Sequence, residues 1–307
     1  MGLLPGLRAP GPTNDAYLEP ARPRPNLTIW GGVRVDRVVM NGRRAVGVRT
    51  ADGVEVETGE VIVSAGAIHS PAILLRSGIG VDDGLPVGDN LKDHPTARFD
   101  LTLAPAGRKT SIEDSVVRSV LRYSSGLADA GPNDMQISAF DAVGADDVGL
   151  GRGQVFGAVM RVYSHGKVSL RSASPDDDPV VEFNMLADER DLIRLRDAVR
   201  RIHAIVTHPA VASITETVAA PIEHLDTDMA IDTWLRANVN DYVHAAGSCR
   251  MGPPTDPAAV VDLRCRVVGY DGLRVCDASV MPDLPKANTH LTTVAVAERL
   301  ATLMGSG

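Results

Sequence analysis

Cysteine is scarce in this chain of 307 residues: Cys249, Cys265 and Cys276 are the only three. Their odd number and the lack of any Cys-x-x-Cys pair speak against a disulfide framework or a structural zinc site. They read instead as small buried apolar residues, which suits a reducing, cytoplasmic setting. Aromatic residues make up only 4% of the sequence, too few for base-stacking platforms. Net charge is −8, and no run of five basic residues occurs, so neither nucleic acid nor an anionic membrane is the expected partner. No window approaches the ~18 apolar residues of a membrane span. The N-terminal stretch MGLLPGLRAPGPTND is too broken by proline and glycine for a signal peptide, so Asn26-Leu27-Thr28 is a chance match to the glycosylation pattern. The most telling absence is G-x-G-x-x-G. Gly149, Gly151 and Gly153 have a different spacing and follow no convincing strand, so GLGRGQ reads as a flexible loop.

What is present is ordinary globular composition, 44% hydrophobic and 23% charged, with one or two domains as the prior. The proline-rich segment up to residue 25 reads as loop around one short helix, Asn14 to Leu18. Short strands are expected at 27–30 (LTIW), 33–40, 45–50 and 54–66. Asn41-Gly42 and Asp52-Gly53 are two-residue hairpin signals between them. The run VIVSAGAIHSPAILLRSGIG, residues 61–80, is strand, tight turn and helix, the unit of nucleotide-binding sheets. Ser70 reads as the helix cap, Pro71 as the first helical residue and Gly78 as the stop.

From about residue 97 the character changes to antiparallel β. The stretches 97–107, 135–143, 154–164 and 166–183 alternate or pair as hairpins and are expected to form one broad sheet. Leu192, Leu195, Val199, Ile202 and Val206 recur at helical spacing within 187–208, and 231–239 is a second short helix. The last segment returns to strand (273–281), loop and helix (291–304). Such a helix start suits an anion or a polarised oxygen.

Two side chains stand out as chemistry. His244, in DYVHAAGSCRMGPP, lies in a segment of small residues; a packed imidazole is the plain alternative to a general base. Asn288 precedes the last helix, where a capping role competes with donation to a reacting oxygen. His69 and His94 are weaker candidates, more structural or exposed than catalytic. His290 lies two residues past Asn288 and could compete for its role. Asp277 and Asp283 could bind a cofactor hydroxyl or cap their loop.

Three stretches together, AGAIHSPAILLRSGIG, HAAGSCRMG and VCDASVMPDLPKANTHLTTVAVAERLA, resemble the glucose–methanol–choline (GMC) oxidoreductases, which are flavoproteins. NLKDHP and VEFNMLADERDLIRL match the usual flanks, and the likeness extends from about Tyr17 onward. The resemblance implies a fold of mixed α/β and α+β class: the remainder of an FAD-binding Rossmann-like domain with an antiparallel-sheet substrate domain. It implies cofactor-domain segments at 1–96 and 244–307 around a substrate domain at 97–243. It places His244 on the active-site histidine and Asn288 on the second catalytic position. It sets Val35 at the adenine, Asp277 and Ala278 at the ribityl and pyrophosphate region, and Thr289, His290 and Leu291 at the helix start facing the flavin pyrimidine edge. No metal ligand is implied.

Full-length members of that family begin with a strand, a Gly-rich turn and a helix, which this sequence lacks. The expectation is therefore FAD-dependent oxidation of a small alcohol, with His244 as base, in company with an N-terminal FAD-binding chain. The alternatives are a non-catalytic remnant that holds no flavin and, less favoured, a flavin-containing lyase.

Overall fold

The computed structural model describes residues 13–113, 115–220 and 225–305. The chain forms two compact units, Met1–Val35 and Asp36–Gly307. In the first, a π-type turn at Asn14–Leu18 continues into α1 (Glu19–Ala21), where Glu19 and Arg22 pair at 2.8 Å. The helix predicted at Asn14 to Leu18 is thus present, while the prolines before Thr13 lie outside the described residues. The expected strand at 27–30 is absent. Leu27, Ile29 and Trp30 are exposed, and the five residues between Pro25 and Gly31-Gly32 find no partner strand.

In chain order the remaining elements are β1 (Val35–Asn41), β2 (Arg44–Thr50), β3 (Glu55–Glu57), β4 (Val61–Val63), α2 (Gly66–Arg76), β5 (Asp89–Leu91) and β6 (Thr96–Leu103). There follow β7 (Val117–Tyr123), β8 (Met135–Phe140), α3 (Asp147–Leu150), β9 (Arg152–Val159), β10 (Gly166–Ser169) and β11 (Val180–Glu182). The chain closes with α4 (Glu189–Val206), α5 (Pro209–Ala212), β12 (Thr215–Val218), α6 (Asp228–Asn238), β13 (Leu273–Val275) and α7 (His290–Gly305).

β1, β2 and β3 form a meander. Gly42 and Gly53, both at positive φ, make its two turns, as the dipeptides predict. The expected long strand over 54–66 divides into β3 and β4, because β4 leaves the meander to pair in parallel with β13, Val61 opposite Leu273. α2 begins at Gly66, five residues earlier than the Ser70-Pro71 signal indicates, so Pro71 lies inside it. Proline cannot bond the carbonyl four residues back; that carbonyl, of Ala67, accepts from the Ser248 hydroxyl at 2.5 Å instead.

The β region is two sheets rather than one. The large one runs β12-β6-β9-β8-β7, and β10 with β11 joins β5 in another. GLGRGQ is not a loop: Asp146 caps Gly149 N–H at 2.7 Å to start α3, and β9 begins at Arg152. α4 lays its predicted stripe on the large sheet. Leu192, Leu195, Val199 and Ile202 join Phe99, Met135, Ile137 and Val155 in one core. A second core unites Val61, Val63, Ile73 and Leu74 with Val260, Val267, Leu273 and Val275. The three cysteines are buried and free. No helix among the described residues is long and apolar enough to cross a membrane.

Candidate active site

Segments far apart in sequence run side by side in the second unit. Residues 88–96 lie antiparallel to 240–248. Gly88 N–H donates to the Ser248 carbonyl at 2.8 Å, Lys92 and Ala246 exchange bonds of 2.9 and 3.0 Å, and Thr96 and Asn240 exchange bonds of 2.8 and 3.0 Å. The next residues then dock on the C-terminal strand end. The N–H groups of Gly247, Cys249 and Met251 donate to the carbonyls of Ala278, Ser279 and Val280 at 3.1, 2.8 and 2.9 Å. Gly247 is required there: its φ is +89°, and a Cβ would stand 2.7 Å from the Asn90 carbonyl oxygen.

Asp93 sits in the middle of this weave and is buried. One carboxylate oxygen accepts the N–H of His94 (2.7 Å) and of Tyr242 (3.1 Å); the other accepts the N–H of His244 (2.8 Å). It grips the peptide on both sides of Val243, whose φ of 56° places a β-branched residue in the left-handed region. The Val243 side chain is 83% exposed. Burial pushes the Asp93 carboxyl up to about 6, against three N–H donors that favour the anion.

His244 is buried. Its Nδ1 lies 2.9 Å from His94 Nδ1, and its Nε2 lies 3.2 Å from Asn288 Nδ2. His94 Nε2 lies 3.0 Å from the Pro285 carbonyl. The Tyr242 ring packs at 4.4 Å from the His244 ring, centre to centre. Burial lowers the pKa of His244, and burial together with the nearby His244 drives His94 down to about 3. Both imidazoles are therefore neutral near pH 7. Asn288 is exposed, so the pair opens outward.

The two residues singled out for chemistry are thus brought together. Val35 opens β1 and belongs to the first unit. Asp277 is buried, and its carboxylate is spent on Gly66 N–H (2.9 Å), the Ser70 hydroxyl (2.5 Å) and Ser279 N–H (2.7 Å). What Asp277 and Ala278 present to a cofactor is main chain. Thr289 immediately precedes α7, and His290 and Leu291 open it, with His290 exposed and Leu291 78% exposed. The first N–H groups of a helix have no intrahelical acceptor. This open, partly apolar turn next to Asn288 fits a flat ring with an electron-rich edge. Asp283, read as a loop cap or hydroxyl ligand, accepts from the Lys92 ammonium at 2.9 Å, from Leu284 N–H at 2.9 Å and from Arg161.

His69 is exposed on α2. Of the two readings offered for His94, structural or exposed, the structure gives the first: it is fully buried and touches His244. Asp93, His94 and His244 each offer a ligand atom within 4.8 Å of the others. Here the carboxylate faces main-chain donors and the rings satisfy one another, so the cluster is a closed hydrogen-bonded set. The DH pair in NLKDHP was its only local signal.

Family models described as GMC oxidoreductase match residues 11–96 and 162–297. The chain is 36% identical to 5-(hydroxymethyl)furfural oxidase of Methylovorus sp. over 93% of its own length and 59% of the relative's. It is 33% identical to oxygen-dependent choline dehydrogenase of Vibrio vulnificus, over 97% and 60% respectively. It thus spans about three-fifths of the curated relatives it matches. Pyridoxine 4-oxidase from Mesorbium loti superposes with a TM-score of 0.81 at 26% identity, over 96% of this chain and 61% of that one. Family models, relatives and fold agree, and the chain belongs to the GMC oxidoreductases, a family of flavin-dependent enzymes.

Proposed function

We propose that this chain carries the proton-handling side of an FAD-dependent site that oxidises the CH–OH group of a small alcohol. The observation that carries the reading is the 3.2 Å approach of Asn288 Nδ2 to His244 Nε2. Removing hydrogen from a C–O unit takes a hydroxyl proton and a hydride. A neutral imidazole within reach takes the proton. An amide N–H aimed at the same oxygen stabilises the negative charge that grows there. A hydroxyl that replaces the His244–Asn288 contact would donate to Nε2 and accept from Nδ2. FAD, when bound, accepts the hydride, which no side chain can do. α7 starts two residues after Asn288, and the positive end of a helix favours electron-rich groups.

The matched relatives named for choline and 5-(hydroxymethyl)furfural support an alcohol as substrate. The two cores described above support a cofactor portion made of 1–96 and 244–307 around a substrate portion at 97–243. The phosphate-gripping G-x-G-x-x-G is supplied by an N-terminal FAD-binding segment outside this sequence.

The test is to co-express the chain with an open reading frame encoding that turn and to add primary alcohols, aliphatic and aromatic, without oxygen. Bleaching of the flavin by an alcohol supports oxidation and excludes a lyase. Replacing His244 by Ala should slow bleaching by about 10²–10⁴-fold at unchanged flavin content. A flavin-loaded complex that no alcohol bleaches would sink the reading. A second reading is a remnant that holds no flavin in any pairing; a colourless complex from every pairing is its signature.

A further inference from the structure

We propose that His94 is a positioning residue: it holds the proton of His244 on Nδ1 and so keeps the Nε2 lone pair facing Asn288. The inference deepens the reading of His244 as the base and rests on it.

The assignment starts at Pro285, whose carbonyl can only accept a hydrogen bond. Its partner at 3.0 Å, His94 Nε2, must therefore carry the proton. A neutral imidazole with Nε2–H has a bare Nδ1, so the contact at 2.9 Å is made by the proton of His244 Nδ1. The other nitrogen of His244 is then bare, and the Asn288 carboxamide donates to it. Each link has one donor and one acceptor. Reversing the chain would set a His94 lone pair against the carbonyl lone pairs of Pro285.

A protonated His94 would reverse the outcome at His244, so the groups around it matter. The oxygens of Asp93 are turned to main-chain N–H groups, not to either ring. Burial first, then His244 and Arg122, oppose a charge on His94 and outweigh the Pro285 and Met160 carbonyls, which favour it. No carboxylate pairs with the His94 ring among its hydrogen-bonded neighbours, and the neutral form prevails near pH 7. Asp241 acts on His244 in the opposite sense, favouring its cation, but burial is the stronger influence.

The Pro285 carbonyl is held in place from both sides. Asp283, two residues before it, takes the Lys92 ammonium at 2.9 Å. Lys286, just after it, donates to the Ala130 and Pro132 carbonyls at 2.7 and 3.0 Å. The Lys286 carbonyl accepts from Arg122 at 2.6 Å. An acceptor fixed this firmly sets a tautomer two rings away, the task a buried carboxylate performs in a hydrolase triad.

The experiment is histidine-selective ¹⁵N labelling of the full chain, with long-range ring correlations near neutral pH and His244→Asn to assign the signal. The wild-type His244 ring should show Nδ1–H and a bare Nε2. His94→Gln, whose amide oxygen can still accept, should retain that pattern, and His94→Leu should lose it. A wild-type His244 ring with Nε2–H or as imidazolium overturns the proposal, and so does a folded His94→Leu protein with the pattern unchanged. If His94→Leu does not fold, the wild-type and His94→Gln spectra decide. In the flavin-loaded complex, His94→Leu should lower the bleaching rate at saturating alcohol by up to the ~10²–10⁴-fold of a positioned base, with recovery in His94→Gln. Nδ1–H on His244 without any alcohol oxidation would refute the assigned reaction and leave the tautomer standing; oxidation with Nε2–H would do the reverse.

Discussion

At the scale of single residues, the site depends on groups that touch no substrate. Asp93 satisfies three main-chain N–H groups at once. Asparagine keeps one acceptor oxygen and brings an N–H₂ that faces those donors. Asp93→Asn should therefore cost about 1–3 kcal/mol for each amide it orphans, measured by urea unfolding; an unchanged midpoint would refute the clamp. Asp93 and His94 also carry opposite pH dependence. The Asp93 carboxyl is raised to about 6 in the fold, so its contribution is full below 3.8 and lost as pH rises through 6. His94 is lowered to about 3, so its contribution is full above 6.5 and lost as pH falls towards 3. Removing the imidazole removes only the second effect. The stability deficit of His94→Leu at pH 7 should shrink by on the order of 3 kcal/mol at pH 4, and a constant deficit in paired urea titrations would contradict it. His244 and Asn288 were legible in sequence because their motifs are local. His94 was not, because what defines it is a carbonyl 191 residues away.

At the scale of elements, legibility follows how local the cause is. α4 was readable from its stripe because burial of that stripe is what forms it. The hairpin turns were readable because Gly42 and Gly53 must take positive φ. The start of α2 was not, since a hydroxyl from Ser248 supplies the donor that Pro71 lacks. β7 is not legible in the sequence because, as an edge strand exposed over its first five residues, it has no alternation to read. A different weakness sits inside α4, where Arg194 is fully buried. It pairs with Asp191 at 2.6 Å and Asp134 at 3.2 Å, both buried as well. Deleting one partner of such a set leaves uncompensated charge, which costs about 3–5 kcal/mol. Arg194→Met should lose that much in urea unfolding, while an exposed pair such as Arg201–Asp197 on the same helix should cost at most ~1 kcal/mol. Equal losses for the two would show that burial is not what sets the cost.

At the scale of the whole molecule, the question is whether this chain can hold a dinucleotide by itself. Parallel sheets are normally covered on both faces, yet β4 and β13 form a pair with Ile62 40% exposed. α7 buries only Leu300 among its described residues. The turn beside Asn288 offers a helix end, worth about 0.3–1 kcal/mol to a charge, and a few main-chain donors at ~0.5–1.5 kcal/mol each. Micromolar binding needs about 8 kcal/mol net of the cost of association, and these contributions fall well short. The lone chain should therefore bind FAD far more weakly than 1 μM (~8 kcal/mol) in calorimetric titration and emerge colourless from gel filtration. Co-expressed with a segment carrying G-x-G-x-x-G, it should retain FAD, because a Gly-rich turn at a helix start grips the pyrophosphate with several N–H groups at once. Amide exchange at Ile62 and along α7 should slow in the complex, as covered main chain opens less often. Stoichiometric FAD on the lone chain would mean that the groups beside His244 suffice without that turn, and the division of labour drawn above would fail.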